Sequence, residues 1–586
     1  MANEKARPKQ SFLKGALVLS IAAIIVKIVG AVFKIPLANI LGGDGMGFYS
    51  TAYDMYLPIY VVSNAGLPVA VSRVVAECTS KGRFRDARRV LKLSNLIFFC
   101  TGFVGMLVML LSAGWFVEYI KNPGAYLAVM MMAPTVFFAC LTCSFRGYYE
   151  GLQNMVPTAI SQVVEAVGKL VLGLGLSMWV YSSGMSSFEA TGAVFGQVCA
   201  NLETAKLVVL QYAAAAAIAG VGLGSLGAVL AIYLRHRIGG DKISDEELCA
   251  PQLDTSRKQL AKRIITFAIP VALGSCVGQL GNIIDLFTIM RRLHFAVGVD
   301  SGAIISMYNG AIPATHALSD IPNFLNGCYK GLAVTLYNLI PTFTVAMGVS
   351  ALPAVTVAWE QRDQAALKIN VESVLRATLI LAIPAGLSMA FLSGDILSFL
   401  FGSRPDEVLV ATPLLFYLGI AVIFAATCSP VNSMLQATGH TYIPLIVMAC
   451  TSIVKIALNY VLVGIPEINI RGAAISTLIC YVVVMTVSIY ILLRITKIKP
   501  DYVSIFVKPS IGGLSCALSA YGACRLFEVF LPAKIATIGA VCIGVAVYAT
   551  VMVLIRGLED SDVLMLPKGE KLLKIYNKLP SLVKKK

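Results

Sequence analysis

Lys27 and Lys34 stand inside the first long apolar segment of this 586-residue chain, which runs from Phe12-Leu13-Lys14-Gly15 to Ile40-Leu41. A cation near the centre of a bilayer costs roughly 2.5–3.5 kcal/mol on insertion scales, so an ammonium at that depth points to an anionic ligand or a buried carboxylate. At about 3.6 residues per turn, a spacing of seven puts both lysines on nearly one helix face. Lys34, closer to the segment's end, can also snorkel to the outer interface; Lys27 lacks that escape.

Other charges sit in apolar surroundings. Arg73 and Glu77 are four apart, as are Glu165 and Lys169. That spacing suits a local ion pair, and for Glu165 and Lys169 a pair that supports packing is the favoured reading. Asp54 is a candidate partner for Lys34, while Asp285 with Arg291-Arg292 either gates an outer mouth or marks the membrane interface, the second being favoured. Arg376 and Lys455 fall in the second half of the chain, with no matching carboxylate pair in view.

The elements that must hold these charges are membrane helices. The chain is 58% hydrophobic and 13% charged, with a mean hydropathy of +0.80, against about 25% charged residues in soluble domains. Apolar stretches of about 20 residues recur and strict alternation is absent, which excludes a β-barrel and implies an all-α integral membrane protein. The first segment is basic-flanked like a signal peptide, but its apolar run exceeds the usual 7–15 residues or so, so it is expected to be retained.

A net charge of +16 would suggest nucleic acid in a soluble protein. Here the cations cluster at Lys5, Arg7 and Lys9, at Lys81 to Arg89, from Arg235 to Arg263, from Arg494 to Lys499, and at Lys584-Lys585-Lys586. By the positive-inside rule these segments are cytoplasmic, which puts both termini inside and requires an even number of spans. Many of the 14 cysteines lie within apolar spans, so no disulfide framework is implied. Cys140-x-x-Cys143 lies within an apolar helix with no second pair, and small-residue packing explains it better than zinc or redox chemistry. No hydrolase, P-loop or dinucleotide fingerprint stands in a suitable context. The expectation is a transporter with no enzyme activity, metal or cofactor.

Apolar runs predict fourteen helices: 12–41, 48–75, 90–117, 124–145, 157–182, 209–235, 263–290, 331–358, 371–393, 407–434, 443–463, 471–494, 504–527 and 534–556. The outer stretches 183–208 and 294–329 are moderately apolar and suit interfacial helices. The chain also repeats itself. Leu67-Pro68-Val69-Ala70 returns as Leu352-Pro353-Ala354-Val355, Lys92 aligns with Arg376, Leu152-Gln153 with Leu435-Gln436, and Lys169 with Lys455, all at offsets of 283–286. Two parallel six-helix lobes follow, with two C-terminal helices appended: residues 1–235, a cytoplasmic linker 236–262, residues 263–494, and 495–586 with a basic tail. Transporters built from such parallel halves bind substrate between them and rock around it.

At this point a family resemblance enters. The runs Phe12 to Ala16, Lys27-Ile28-Val29-Gly30, Lys34-Ile35-Pro36-Leu37-Ala38 and Leu41 to Tyr49 resemble the start of stage V sporulation protein B and related polysaccharide exporters. Ala65 to Arg73 with Glu77, and Arg146 to Thr158, are similar to the family's next signatures. The resemblance covers nearly the whole chain and places it in the multidrug/oligosaccharidyl-lipid/polysaccharide exporter superfamily. It implies two lobes in a V, a bacterial cell-membrane location, and an undecaprenyl-pyrophosphate-linked saccharide as cargo, most plausibly the peptidoglycan precursor lipid II. Lys27, Lys34 and Arg73 would then bind the pyrophosphate. MurJ-type flippases carry adjacent arginines where this chain has Ser72-Arg73, and lysine lacks arginine's bidentate fork. Two rival readings are a cation-coupled multidrug exporter and a membrane scaffold that recruits cell-wall synthesis enzymes. Costly charges at membrane depth argue against a scaffold. Sodium, protons and membrane potential all stay open as the driving force.

Overall fold

The computed structural model describes residues 12–64, 66–241, 243–244, 247–248, 255–313 and 316–559. The basic termini (Lys5, Arg7 and Lys9; Lys584 to Lys586) and the linker acids Asp245 and Glu246 lie outside the described residues. The chain divides into two compact units, Met1–Arg291 and Arg292–Lys586.

The first unit holds α1 (Phe12–Asn64), α2 (Leu67–Ser80), α3 (Phe84–Tyr119), α4 (Tyr126–Gly151), α5 (Val156–Thr191), α6 (Leu202–Gly239), α7 (Arg257–Gly278) and the first part of α8 (Leu280–Val299). The second holds the rest of α8, then α9 (Ser301–Met307), α10 (Ile321–Gly327), a π-helical turn at Cys328–Ala333, α11 (Val334–Tyr337) and α12 (Leu339–Glu360). It continues through α13 (Gln364–Phe391), α14 (Ser393–Phe401), α15 (Pro405–Ala437), α16 (Tyr442–Leu462), α17 (Arg471–Thr496), α18 (Lys508–Phe527) and α19 (Ala533–Leu554).

Twelve helical stretches among the described residues are long and apolar enough to cross a membrane, against the fourteen expected. The difference has two sources. The expected 12–41 and 48–75 merge in one candidate, Ile21–Ser80, and the expected 263–290 falls in α7 and α8, neither of which is among the twelve. A 60-residue run is about 90 Å of helix, three times the roughly 30 Å hydrocarbon core, so it cannot be a single crossing. Its internal break is Gly42, at φ 61° and ψ −164°. A side chain is strained there, and the Leu41-Gly42-Gly43-Asp44-Gly45 sequence removes it.

A second break separates α1 from α2. Gly66 has φ 81°, and a Cβ on it would lie 2.3 Å from the Ala268 carbonyl oxygen of α7. Glycine is therefore demanded twice, by its own backbone and by the close approach of a neighbouring helix.

The internal repeat reappears as matched turns. Gly82 (φ 69°) and Arg362 (φ 55°) each occupy a three-residue link, and the next amide, of Arg83 or Asp363, closes onto the carbonyl five residues back, of Cys78 or Ala358. Gln153 (φ 59°) and Gly439 (φ 83°) repeat the arrangement, with Asn154 bonding Tyr149 and His440 bonding Leu435. Such left-handed closures satisfy the carbonyls orphaned at a helix end. They align Gln153 with Gly439, three residues away from the Leu-Gln register read from sequence.

The expected outer stretch 183–208 is mostly the ends of α5 and α6, joined by a two-residue antiparallel hairpin, Ala193–Val194 with Gln197–Val198. Asn201 caps α6 in a capping box: its Oδ1 accepts from the Thr204 amide at 2.9 Å, and its own amide donates to Thr204 Oγ1 at 3.2 Å. The stretch 294–329 contains the short helix α9, capped by Asp300.

Candidate functional site

Within the first unit, α1 carries Phe33 and Lys34 before its break and Tyr49, Tyr53, Asp54, Tyr56 and Tyr60 after it. The break lets one helix supply both groups. Across from them runs α5, whose position is set by small residues. A Cβ on Gly220 of α6 would fall 2.4 Å from the Gly173 nitrogen, and one on Gly224 would fall 2.7 Å from the Lys169 nitrogen. Backbones that close are the small-residue contact of membrane bundles. Gly173 also receives the edge of the fully buried Phe33 ring, 2.7 Å from where its Cβ would be.

Lys169, one turn from Gly173, projects over that ring. Its Nζ is 5.0 Å from the Phe33 centroid and 5.1 Å from the Tyr53 centroid, and it donates a 2.8 Å hydrogen bond to the Tyr53 hydroxyl. Both Lys169 and Asp54 act electrostatically on Lys34, the first repelling it and the second attracting it. Lys34, Tyr53, Asp54 and Lys169 are all half-buried. Tyr49, Tyr53, Tyr56 and Tyr60 continue from this cluster as adjoining rings, with centroids 4.9, 6.0 and 5.4 Å apart.

The pairing expected between Glu165 and Lys169 is not the one found. Glu165 accepts from Arg146 of α4 at 2.8 Å and from Ser225 of α6 at 3.3 Å, and Arg146 also donates to Ser161 at 2.9 Å. The i,i+4 spacing allowed a local pair, but α4 brings a guanidinium with a better fork to the same carboxylate. Arg146 was missed as a depth-bearing cation because α4 was expected to end at 145, whereas it continues to Gly151. Beyond Arg146, Asn64 donates to Tyr60 at 2.8 Å and to Cys143 Sγ at 3.2 Å.

Lys27 is exposed on α1. Arg73 is exposed on α2 with its guanidinium 4.1 Å from the Phe267 centroid of α7. The Arg73–Glu77 pair that the spacing allows is not formed; Glu77 instead meets Lys81, just past α2, at 2.6 Å and Arg263 of the adjacent α7 at 3.2 Å. Asp285 is half-buried in α8. Arg291 donates to the Tyr119 hydroxyl at 2.7 Å and lies 4.6 Å over its ring. In the second unit Arg292 is held by Phe295 and Tyr460, 4.2 and 4.1 Å from their centroids. The structure thus brings Lys34 and Asp54 together with Lys169, and sets Lys27, Arg73 and the α8 arginines elsewhere.

At the end of α6, Asp241 ties the linker to this unit. It accepts from Arg88 at 2.7 and 2.9 Å, from the Tyr148 hydroxyl at 2.9 Å and from the Ile243 amide at 3.2 Å. Burial pushes its carboxyl up, but these donors together hold it below the usual carboxylate range. Asp86 does the same for Thr255, whose hydroxyl donates to it at 2.8 Å.

In the second unit Asp395, Cys524 and Glu528 bring three donor atoms within 4.8 Å. Arg525 already answers those carboxylates, at 3.5 Å from Asp395 and 2.7 Å from Glu528.

A multi-helix bundle with paired turns and a cluster of half-buried charges in its first unit invites comparison with known carriers. The family model described as polysaccharide biosynthesis protein matches residues 12–359. The chain belongs to that family. A MatE model matches 330–461. The chain is 24% identical to the lipid II flippase MurJ of Bacillus subtilis (strain 168) over 490 residues, 80% of each chain. It is 23% identical to stage V sporulation protein B of the same organism over 95% of this chain and 98% of that one. A structure of the lipid II flippase MurJ in an inward closed conformation superposes with TM-score 0.56 at 15% identity, covering 91% of this chain and 98% of the other. An inward-facing MATE family transporter of the MOP superfamily gives 0.54 at 14% identity, covering 80% and 99%. This polysaccharide-biosynthesis family member is therefore a multi-pass membrane protein with the MurJ and MATE fold.

Proposed function

We propose that this protein is a flippase that carries an undecaprenyl-pyrophosphate-linked saccharide, specifically lipid II, across the bacterial cytoplasmic membrane by alternating access. The observation that carries this reading is the charge cluster of the first unit, where half-buried Lys34, Lys169 and Asp54 lie close enough to act on one another. Two ammoniums against one carboxylate leave net positive charge at membrane depth, an expensive arrangement that an anionic cargo repays. Pyrophosphate cannot cross hydrocarbon unaided and needs such donors. The similarity to the lipid II flippase MurJ and to stage V sporulation protein B supports the cargo class. Lys34 is the principal contact in this scheme, with Lys27 and Arg73 at the approaches. The inside-negative potential, at about 2.3 kcal/mol per charge per 100 mV, is available to drive reorientation of the cationic lobe.

The test is a leaflet-resolved assay of labelled lipid II in cells depleted of this protein. Accumulation in the inner leaflet, reversed by the wild-type chain and not by Lys34→Met, is the expected result. Unchanged leaflet distribution on depletion refutes the reading.

A further inference from the structure

Lys169 is chemically odd for a membrane-depth cation. Among the described residues it forms no ion pair; its contacts are one neutral hydroxyl and two aromatic faces. Its repeat counterpart, Lys455, is likewise half-buried on α16. Structural lysines at depth are normally paired with a carboxylate, yet the one suited by spacing, Glu165, is taken by Arg146 and Ser225. Asp54 is the carboxylate that attracts Lys34. Cation–π contacts of this length are worth about 0.5–2 kcal/mol, enough to park an ammonium but less than it gains from a phosphoryl oxygen.

We infer that Lys169 is a specificity-determining ligand in this charge cluster, held between Phe33 and Tyr53 at rest and released to bind a second phosphoryl group, so that the site selects pyrophosphate over monophosphate lipids. The inference rests on the flippase reading and deepens it. Lysine is a point charge that serves one phosphoryl group well. Lys34 alone, offset by Asp54, suits a single phosphate. Adding Lys169 supplies the second ammonium that a pyrophosphate requires, and the Tyr53 hydroxyl freed by its departure becomes one more donor to the ligand. The close contacts of Gly220 with Gly173 and of Gly224 with Lys169 fix the α5 backbone, so that only the side chain need move.

The experiment uses the full-length purified protein in detergent, with farnesyl pyrophosphate and farnesyl monophosphate as probes and calorimetry as the readout. Wild type is expected to prefer the pyrophosphate. Lys169→Met should weaken pyrophosphate binding about tenfold while changing monophosphate binding less than about twofold, which collapses the preference. Lys169→Arg should restore it, and a matched thermal-unfolding profile controls for folding. Equal loss for both probes, or no loss for either, overturns the inference. Wild-type protein that binds neither probe overturns the flippase reading itself, whereas binding abolished by Lys34→Met but untouched by Lys169→Met leaves that reading standing and removes only this one.

Discussion

Replacing Glu559 with Gln should loosen the final helices of the second unit by about 2 kcal/mol. Arg376 is 1% exposed on α13, and its Nη1 donates to Glu559 Oε1 at 2.6 Å and to Ser504 Oγ at 2.8 Å. Ser504 in turn donates to the same carboxylate oxygen at 2.9 Å. Breaking a buried pair from one side costs about 3–5 kcal/mol because a desolvated charge remains. The Glu559 side chain is 41% exposed, so solvent screens part of that charge and brings the cost below that range, to about 2 kcal/mol. Removing the guanidinium as well eliminates the stranded charge, and the Arg376→Met/Glu559→Gln double variant should be more stable than Glu559→Gln alone. Unfolding in detergent by denaturant titration measures both. A single variant within about 0.5 kcal/mol of wild type, or a double variant no better than the single, refutes the argument that Glu559 neutralises a buried arginine.

Gly66→Ala should lower stability by about 2 kcal/mol or more, since it combines a positive φ of 81° with a Cβ placed 2.3 Å from a backbone oxygen; thermal unfolding checks it, and an unshifted midpoint contradicts the close approach of α7. The Asp241 network should give an acid limb. Because the folded-state carboxyl is held below its unfolded value of about 3.9, its stabilisation is complete above that value and lost as pH falls through the folded pKa. Amide exchange in peptides spanning Arg83–Arg89 should rise over that window, and Asp241→Asn should raise exchange already at neutral pH and remove the pH dependence.

Much of the architecture was legible because membrane helices are written in long apolar runs, and the repeat was legible from matched Leu-Pro, Leu-Gln and basic positions; the left-handed turns it shares come from different residue types, Gly82 with Arg362 and Gln153 with Gly439, and so carry no sequence signal of their own. The count was less legible. Hydropathy divides 12–41 from 48–75, and α1 carries its break there, at Gly42, without ending; it does not show that 263–290 is split between α7 and α8, neither of which is among the twelve. Charge placement was the hardest part. Lys34 is named from its apolar flanks and Asp54 as a candidate partner, and the fold sets Lys34 half-buried where Asp54 attracts it. Spacing at i,i+4 favours Glu165 as the partner of Lys169, a pairing the fold does not use, because Arg146 of a neighbouring helix outcompetes a neighbour in sequence.

The sequence by itself determined that this is an all-helical membrane protein of two similar halves with cations set where lipid would expel them. Only the tertiary structure decided which cations come together. Glycines on α5 and α6 let two backbones nearly touch, which carries Lys169 over Phe33 and beside Tyr53, while α4 delivers Arg146 to Glu165 and leaves Lys169 with no acid of its own among the described residues. Pairing at depth depends on which helices come within a few ångströms of each other, and that distance is a property of packing that no single segment encodes.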